Sequence, residues 1–155
     1  MTTQSTETNP TQDRELWIER VFDAAPELVF KAWTKEEQLA RWWGPKGFSI
    51  KSSEFEFKEG GTWRFIMIGP DGTEYPNHVV FREIQPYNRL LLEHFPGPHF
   101  FITASFRPEG KGTRMRFHQL FDDAKTRDQV RPYAEPGNRD LMDKLEALLS
   151  ELKTL

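Results

Sequence analysis

The chain has 155 residues, a formal net charge of -3, no cysteine, and aromatic side chains at 14% of its length, among them 13 Phe and 5 Trp. That length suits one domain able to bury about two thirds of its unfolded surface. The missing cysteine excludes disulfides and thiol catalysis, the scattered basic residues argue against nucleic acid, and no apolar run reaches the roughly 18 residues that would span a membrane.

Residues 1–13 carry Glu7 and Asp13, no hydrophobic core, and no Lys or Arg before Arg14. They read as a disordered tail rather than a secretory or transit segment. A single domain is expected over residues 14–155, in a cytoplasmic setting. Residues 15–23 alternate well enough for a first strand. Pro26 suits the first turn of a helix, where its missing N–H costs nothing, and Leu28, Val29, Ala32 and Trp33 follow at helical spacing. Thr34 is placed to cap a second short helix, with Glu37 completing a capping box. That helix should stop at Trp42-Trp43, where Gly44-Pro45 follows.

From Phe48 the period becomes two. Phe55 and Phe57 share one face, and Gly60-Gly61 signals a hairpin. Trp63, Phe65 and Met67 alternate with Arg64, Ile66 and Ile68 up to the Pro70-Asp71-Gly72 turn. Further strands are expected over Asn77–Ile84, Arg89–Phe95, Phe100–Arg107 and Thr113–Phe121, separated by Pro/Gly-rich turns. Together they form an antiparallel meander with one apolar face. Residues 123–130 read as a separate short helix. Pro136-Gly137 then precedes a long one of about 16 residues, on which Leu141, Leu145, Leu148, Leu149 and Leu152 make one stripe. The order strand, helix pair, six strands, long helix predicts an α+β fold: about seven antiparallel strands wrapped around the last helix, with a cleft between them.

Strand parity selects the cavity-facing residues. It gives Phe55, Phe57, Trp63, Phe65, Met67, Ile102, Ala104, Phe106, Met115, Phe117 and Phe121. Three polar residues share these faces. Gln119 stands among Met115, Phe117 and Phe121, and an inward amide needs partners. Glu83 shares parity with Val79 and Phe81; inward, its carboxyl would be desolvated and fit for acid–base work, and otherwise it pairs with an Arg at the sheet edge. His94 shares parity with Leu90 and Leu92, as a core hydrogen-bonder or a catalyst. Phe81, Leu141 and Leu145 complete the expected lining, with Trp42 or Trp43 as hydrophobic staple or cavity mouth. The four histidines show no ligand-type spacing, so no metal is expected. No nucleophile elbow or phosphate loop occurs, and no cofactor is implied.

Several motifs in this order resemble the activator of heat-shock-protein ATPase homologue family. They are R-x-F-D-A-x-P-E-x-V-F-x-A-W-T (Arg20 to Thr34), R-W-W-G-P (Arg41 to Pro45), G-G-x-W-R-F-x-M (Gly60 to Met67), G-P-D-G (Gly69 to Gly72), R-E-I-x-P-x-x-R-L (Arg82 to Leu90) and G-x(7)-L (Gly137 to Leu145). The resemblance implies the helix-grip fold of the SRPBCC superfamily, shared with START lipid-transfer, birch-pollen-allergen-like and aromatase/cyclase domains, and hence an interior cavity. The chain departs from the family pattern at Asn138, where an aromatic often follows the glycine, and at Val79, where a small residue is common.

Three readings follow. The leading one is a binder of a small hydrophobic or amphipathic ligand, lipid-like or aromatic, oriented by Glu83, His94 and Gln119. The second is a cavity enzyme of cyclase, dehydratase or hydrolase type, with Glu83 or His94 as acid or base. The third is a chaperone-associated interaction module using an outer surface. The resemblance implies it, although the eukaryotic namesake acts through two domains and this chain has length for one. A homodimer is compatible with all three.

Overall fold

The computed structural model describes residues 11–95 and 97–153. Most of the tail expected over residues 1–13 therefore lies outside the described residues. At its end Gln12–Arg14 form a short 3-10 turn, and Arg14 donates to Phe121 O at 2.8 Å.

Ten elements follow: β1 (Glu15–Phe22), α1 (Pro26–Lys31), α2 (Glu36–Trp42), β2 (Ser49–Phe55), β3 (Thr62–Ile68), β4 (Glu74–Gln85), β5 (Arg89–Phe95), β6 (Phe100–Glu109), β7 (Gly112–Phe121) and α3 (Ala124–Leu152). The strands form one curved sheet in the order β1-β7-β6-β5-β4-β3-β2. Every neighbouring pair is antiparallel. This is the helix-grip arrangement. β1 and β2 lie at opposite edges, so the chain must cross the whole sheet between them, and α1 and α2 make that crossing.

Local chemistry explains most boundaries. Pro26 opens α1 after an extended Ala25. Gly61 turns the β2–β3 hairpin so tightly that a Cβ there would stand 2.1 Å from Glu56 O. Asp123 caps α3 by accepting from Thr126 N–H at 2.7 Å.

Two expectations about helices are corrected. Thr34 is not the cap of α2. That position belongs to Lys35, which makes no side-chain cap bond, while the Thr34 hydroxyl donates back to Lys31 O at 2.9 Å. And residues 123–130 are not a separate helix. α3 runs unbroken for 29 residues through Pro132 and Pro136, about 43 Å at 1.5 Å per residue. Each proline strips one carbonyl of its helical partner, and those carbonyls belong to Asp128 and Pro132, both exposed to water.

The second half of α3 buries Leu141, Met142, Leu145, Leu148 and Leu149. α1, α2 and the turn between them add Phe30, Trp33, Leu39 and Trp42, all at 5% exposure or less. The concave face is thus filled from two sources, and the leucine helix is only one of them.

Candidate functional site

The packing is dense where the helix pair meets the sheet. Trp33 contacts Trp42 edge-to-face at 4.8 Å and Trp43 at 5.7 Å between ring centroids. Phe106 is held between Phe30 and Trp33. Trp63 stacks on Phe65 at 4.0 Å, and its indole N–H donates to Ser52 Oγ at 2.9 Å. Edge-to-face pairs of this kind add to their burial and leave no room between them.

A cleft of about 250 Å³ opens between the concave face and the first half of α3. The sheet supplies Met67, Phe100, Ile102 and Phe117. α3 supplies Val130, Tyr133, Ala134 and Leu141. Trp43, Gly44 and Pro45 close one side, where the chain leaves α2. That closure depends on Gly137 of α3, where a Cβ would press within 3.3 Å of Pro45 Cγ. Lys144 fastens it by donating to Trp43 O and Pro45 O.

The polar members of the wall are Asn77, His94, Gln119 and Asn138. His94 is 9% exposed and lies flat on Phe100 at 4.4 Å. Its Nδ1 faces Pro98 O at 3.1 Å and its Nε2 faces Asn77 Oδ1. Burial pushes its pKa down to about 4, against the opposing pull of the Pro98 carbonyl. The ring is therefore neutral at pH 7, and its single N–H serves one of these two oxygens, not both. Gln119 points inward from β7 and accepts from Asn138 Nδ2 at 2.9 Å.

The residues singled out in the sequence divide into three groups. Trp43, Met67, His94, Phe117, Gln119 and Leu141 line the cleft. Trp42, Trp63, Phe65, Phe81, Phe106 and Leu145 are buried in the solid core. Trp42 donates its indole N–H to Ala32 O at 3.1 Å, so of the Trp pair only Trp43 reaches the cleft. Phe55 and Phe57 are half-buried against Phe81. Phe30, Trp33 and Trp42 fill the space around these core residues.

For Glu83 the inward alternative is corrected, and the pairing with an Arg at the sheet edge is what the structure shows. The β4–β5 register shifts between Phe81 and Glu83. Phe81 faces inward opposite Leu92, but Glu83 lies opposite Leu91 on the outer face and takes a hydrogen bond from Arg89 Nε at 3.0 Å. One extra residue at a bulge reverses the parity beyond it. Sequence reasoning missed Asn77, Pro98, Phe100, Tyr133 and Asn138. Asn138 had left a signal, since it stands where an aromatic is customary.

Among the described residues, no three His, Asp or Glu side chains come together as a metal site, and no helix is long and apolar enough to cross a membrane.

The sequence matches the model of the family "activator of Hsp90 ATPase homolog 1-like protein" over residues 23–150. No curated protein matches it significantly. Solved structures do. A protein from Nitrosomonas europaea superposes with a TM-score of 0.84 at 22% identity, over 93% of this chain and 99% of its own. One from Arthrobacter aurescens gives 0.84 at 25% identity, over 93% and 90%. One from Rhodobacter sphaeroides gives 0.82 at 23%, over 93% and 97%. All three are structural-genomics targets whose names state no activity. They are similar to this chain in fold.

Proposed function

Because the chain belongs to the family of activator of Hsp90 ATPase homolog 1-like proteins, whose fold encloses a ligand cavity in general, we propose that it binds a small apolar or amphipathic molecule in the cleft between the sheet and α3. One observation carries this reading. Between sheet and α3 a cleft of about 250 Å³ is walled by Trp43, Phe100 and Phe117, while Trp33, Trp42, Trp63, Phe65 and Phe106 pack ring against ring. A ligand of ring size burying roughly 200 Å² at about 25 cal/mol per Å² gains about 5 kcal/mol, enough for binding in the high micromolar range.

Acid–base catalysis is less well supported. Glu83 lies on the outer face, and both nitrogens of His94 face protein oxygens, of Pro98 and Asn77, rather than the open cleft. The test is titration with 2-naphthol, a small neutral fluorophore. It should bind wild type and change tryptophan emission, and Ile102→Trp, which fills the cleft, should abolish binding in a protein that still folds. Binding that survives Ile102→Trp overturns the assignment. A chaperone partner reading the outer face would be indifferent to that substitution.

A further inference from the structure

Gln119 is 6% exposed and shares its face of β7 with Met115, Phe117 and Phe121, all buried. A primary amide offers two N–H donors and a carbonyl oxygen with two lone pairs. Among the described residues Gln119 makes one side-chain hydrogen bond, the one it accepts from Asn138 Nδ2. Among the described residues Asn138, half-buried on α3, has that same side-chain bond and no other. The pair therefore keeps one whole amide nitrogen, Gln119 Nε2, and one whole carbonyl oxygen, Asn138 Oδ1, without a partner, besides the second N–H of Asn138. Turning both amides over reverses the bond and still leaves one nitrogen and one oxygen without a partner. Both residues line the cleft, so what remains free faces the space a ligand would occupy. Water can serve these groups while the cleft is empty. A purely apolar occupant would strip that water and leave them unmatched.

The charge pattern narrows the occupant further. Among the described residues no Lys, Arg, Asp or Glu side chain lines the cleft. The nearby Lys144 ammonium is spent on Trp43 O and Pro45 O, and Lys46 is paired with Asp143 outside. An ion entering the cleft would lose its hydration and meet no counter-charge. For size, an apolar cavity of about 150 Å³ accepts benzene, so about 250 Å³ suits one ring or two fused rings.

Resting on the binding reading above, we propose that the cleft selects an uncharged aromatic molecule bearing a neighbouring donor and acceptor, as in a carboxamide or lactam. Gln119 and Asn138 read that group while Trp43, Phe100 and Phe117 hold the ring.

Three isosteric probes test this: 2-naphthamide, methyl 2-naphthyl ketone and 2-naphthoate, titrated at pH 7.5. The amide should bind roughly tenfold more tightly than the ketone, which lacks the donor. It should bind at least about 100-fold more tightly than the carboxylate, whose charge finds no partner. Gln119→Leu should reduce the amide's advantage over the ketone to less than about twofold. Asn138→Leu, at a half-buried helix position, gives the same readout should the first variant fail to fold. A carboxylate or ketone that matches the amide on wild type overturns the proposed class while leaving the cleft a binding site. An amide advantage that survives both substitutions overturns the role of the pair. If none of the three probes nor 2-naphthol binds, the binding reading itself falls.

Discussion

The ammonium of Lys144 donates to the backbone carbonyl of Trp43 at 3.1 Å, and so ties α3 to the end of α2. The group is half-buried, and burial pulls its pKa below the usual lysine value, with Asp140 acting against that pull. Pro45 O accepts from the same ammonium at 3.3 Å. Asp140 accepts from the Lys46 backbone N–H at 3.1 Å. Trp43 is thus held as a cleft wall by contacts outside the cleft.

Lys144→Met should show this. The substitution keeps the apolar stem and removes three donors. Stability should fall by about 1–2 kcal/mol, and 2-naphthol should bind more weakly as Trp43 loosens. Urea melts and fluorescence titration check both. Unchanged binding despite the stability loss would mean that Trp43 holds its place without the tie.

Leu145 is fully buried beneath the sheet. Leu145→Ala should destabilise the fold by roughly 2–5 kcal/mol, the span set by how far the site collapses. A denaturation midpoint that does not move would contradict the docking of α3.

Two histidines should give pH dependences of opposite sign. The unfolded chain protonates His near pH 6.5, whereas His94 in the fold resists protonation until about pH 4. Between those values the unfolded state binds the extra proton, so the His94 contribution is present above pH 6.5 and lost as pH falls toward 4, by up to about 3 kcal/mol. His99 behaves in reverse. Hydrogen bonds to Glu93 and Asp122 raise its pKa, so its contribution is full below pH 6.5 and is lost as pH rises through the raised value. Being partly exposed, it should contribute less. The stability advantage of wild type over His94→Gln should shrink toward acid, and that over His99→Gln toward alkali. Parallel slopes in the two variants would contradict both assignments.

Glu83→Gln and Arg116→Ala should leave 2-naphthol affinity unchanged. Glu83 pairs with Arg89 on the outer face, and Arg116 lies over the exposed Trp17 ring at 4.4 Å. Each should cost at most about 1 kcal/mol of stability. A change in affinity from either one would mean that the outer face communicates with the cleft.

The strands were legible because alternation and turn residues carry the signal locally. Arg89–Phe95 is expected and observed with the same limits, and Thr113–Phe121 starts one residue earlier. Three things were not legible, each because it depends on packing. Pro136-Gly137 predicts a break, but a helix already capped at Asp123 and exposed at the carbonyls that Pro132 and Pro136 free carries through. The bulge after Phe81 leaves no mark in the apolar pattern, so parity alone could not decide which face Glu83 takes. The extent of the cavity depended on how Phe30, Trp33 and Trp42 fill space, which parity along a strand does not describe. For the cleft, Gln119 was legible as a polar residue in an apolar row, while its partner Asn138 was visible only as a departure from a family pattern.

The placement of β1 has a consequence for how the protein is made. From β3 to β7 each strand pairs with the one synthesised just before it, so the meander can assemble as the chain emerges. β1 is the exception, since Trp17 pairs with His118. That partner follows about 100 residues later, a delay on the order of 5–20 s at ribosomal rates of about 5–20 residues per second. Through that interval the first strand waits unpaired. The sheet gains its last edge only when nearly the whole domain has left the ribosome.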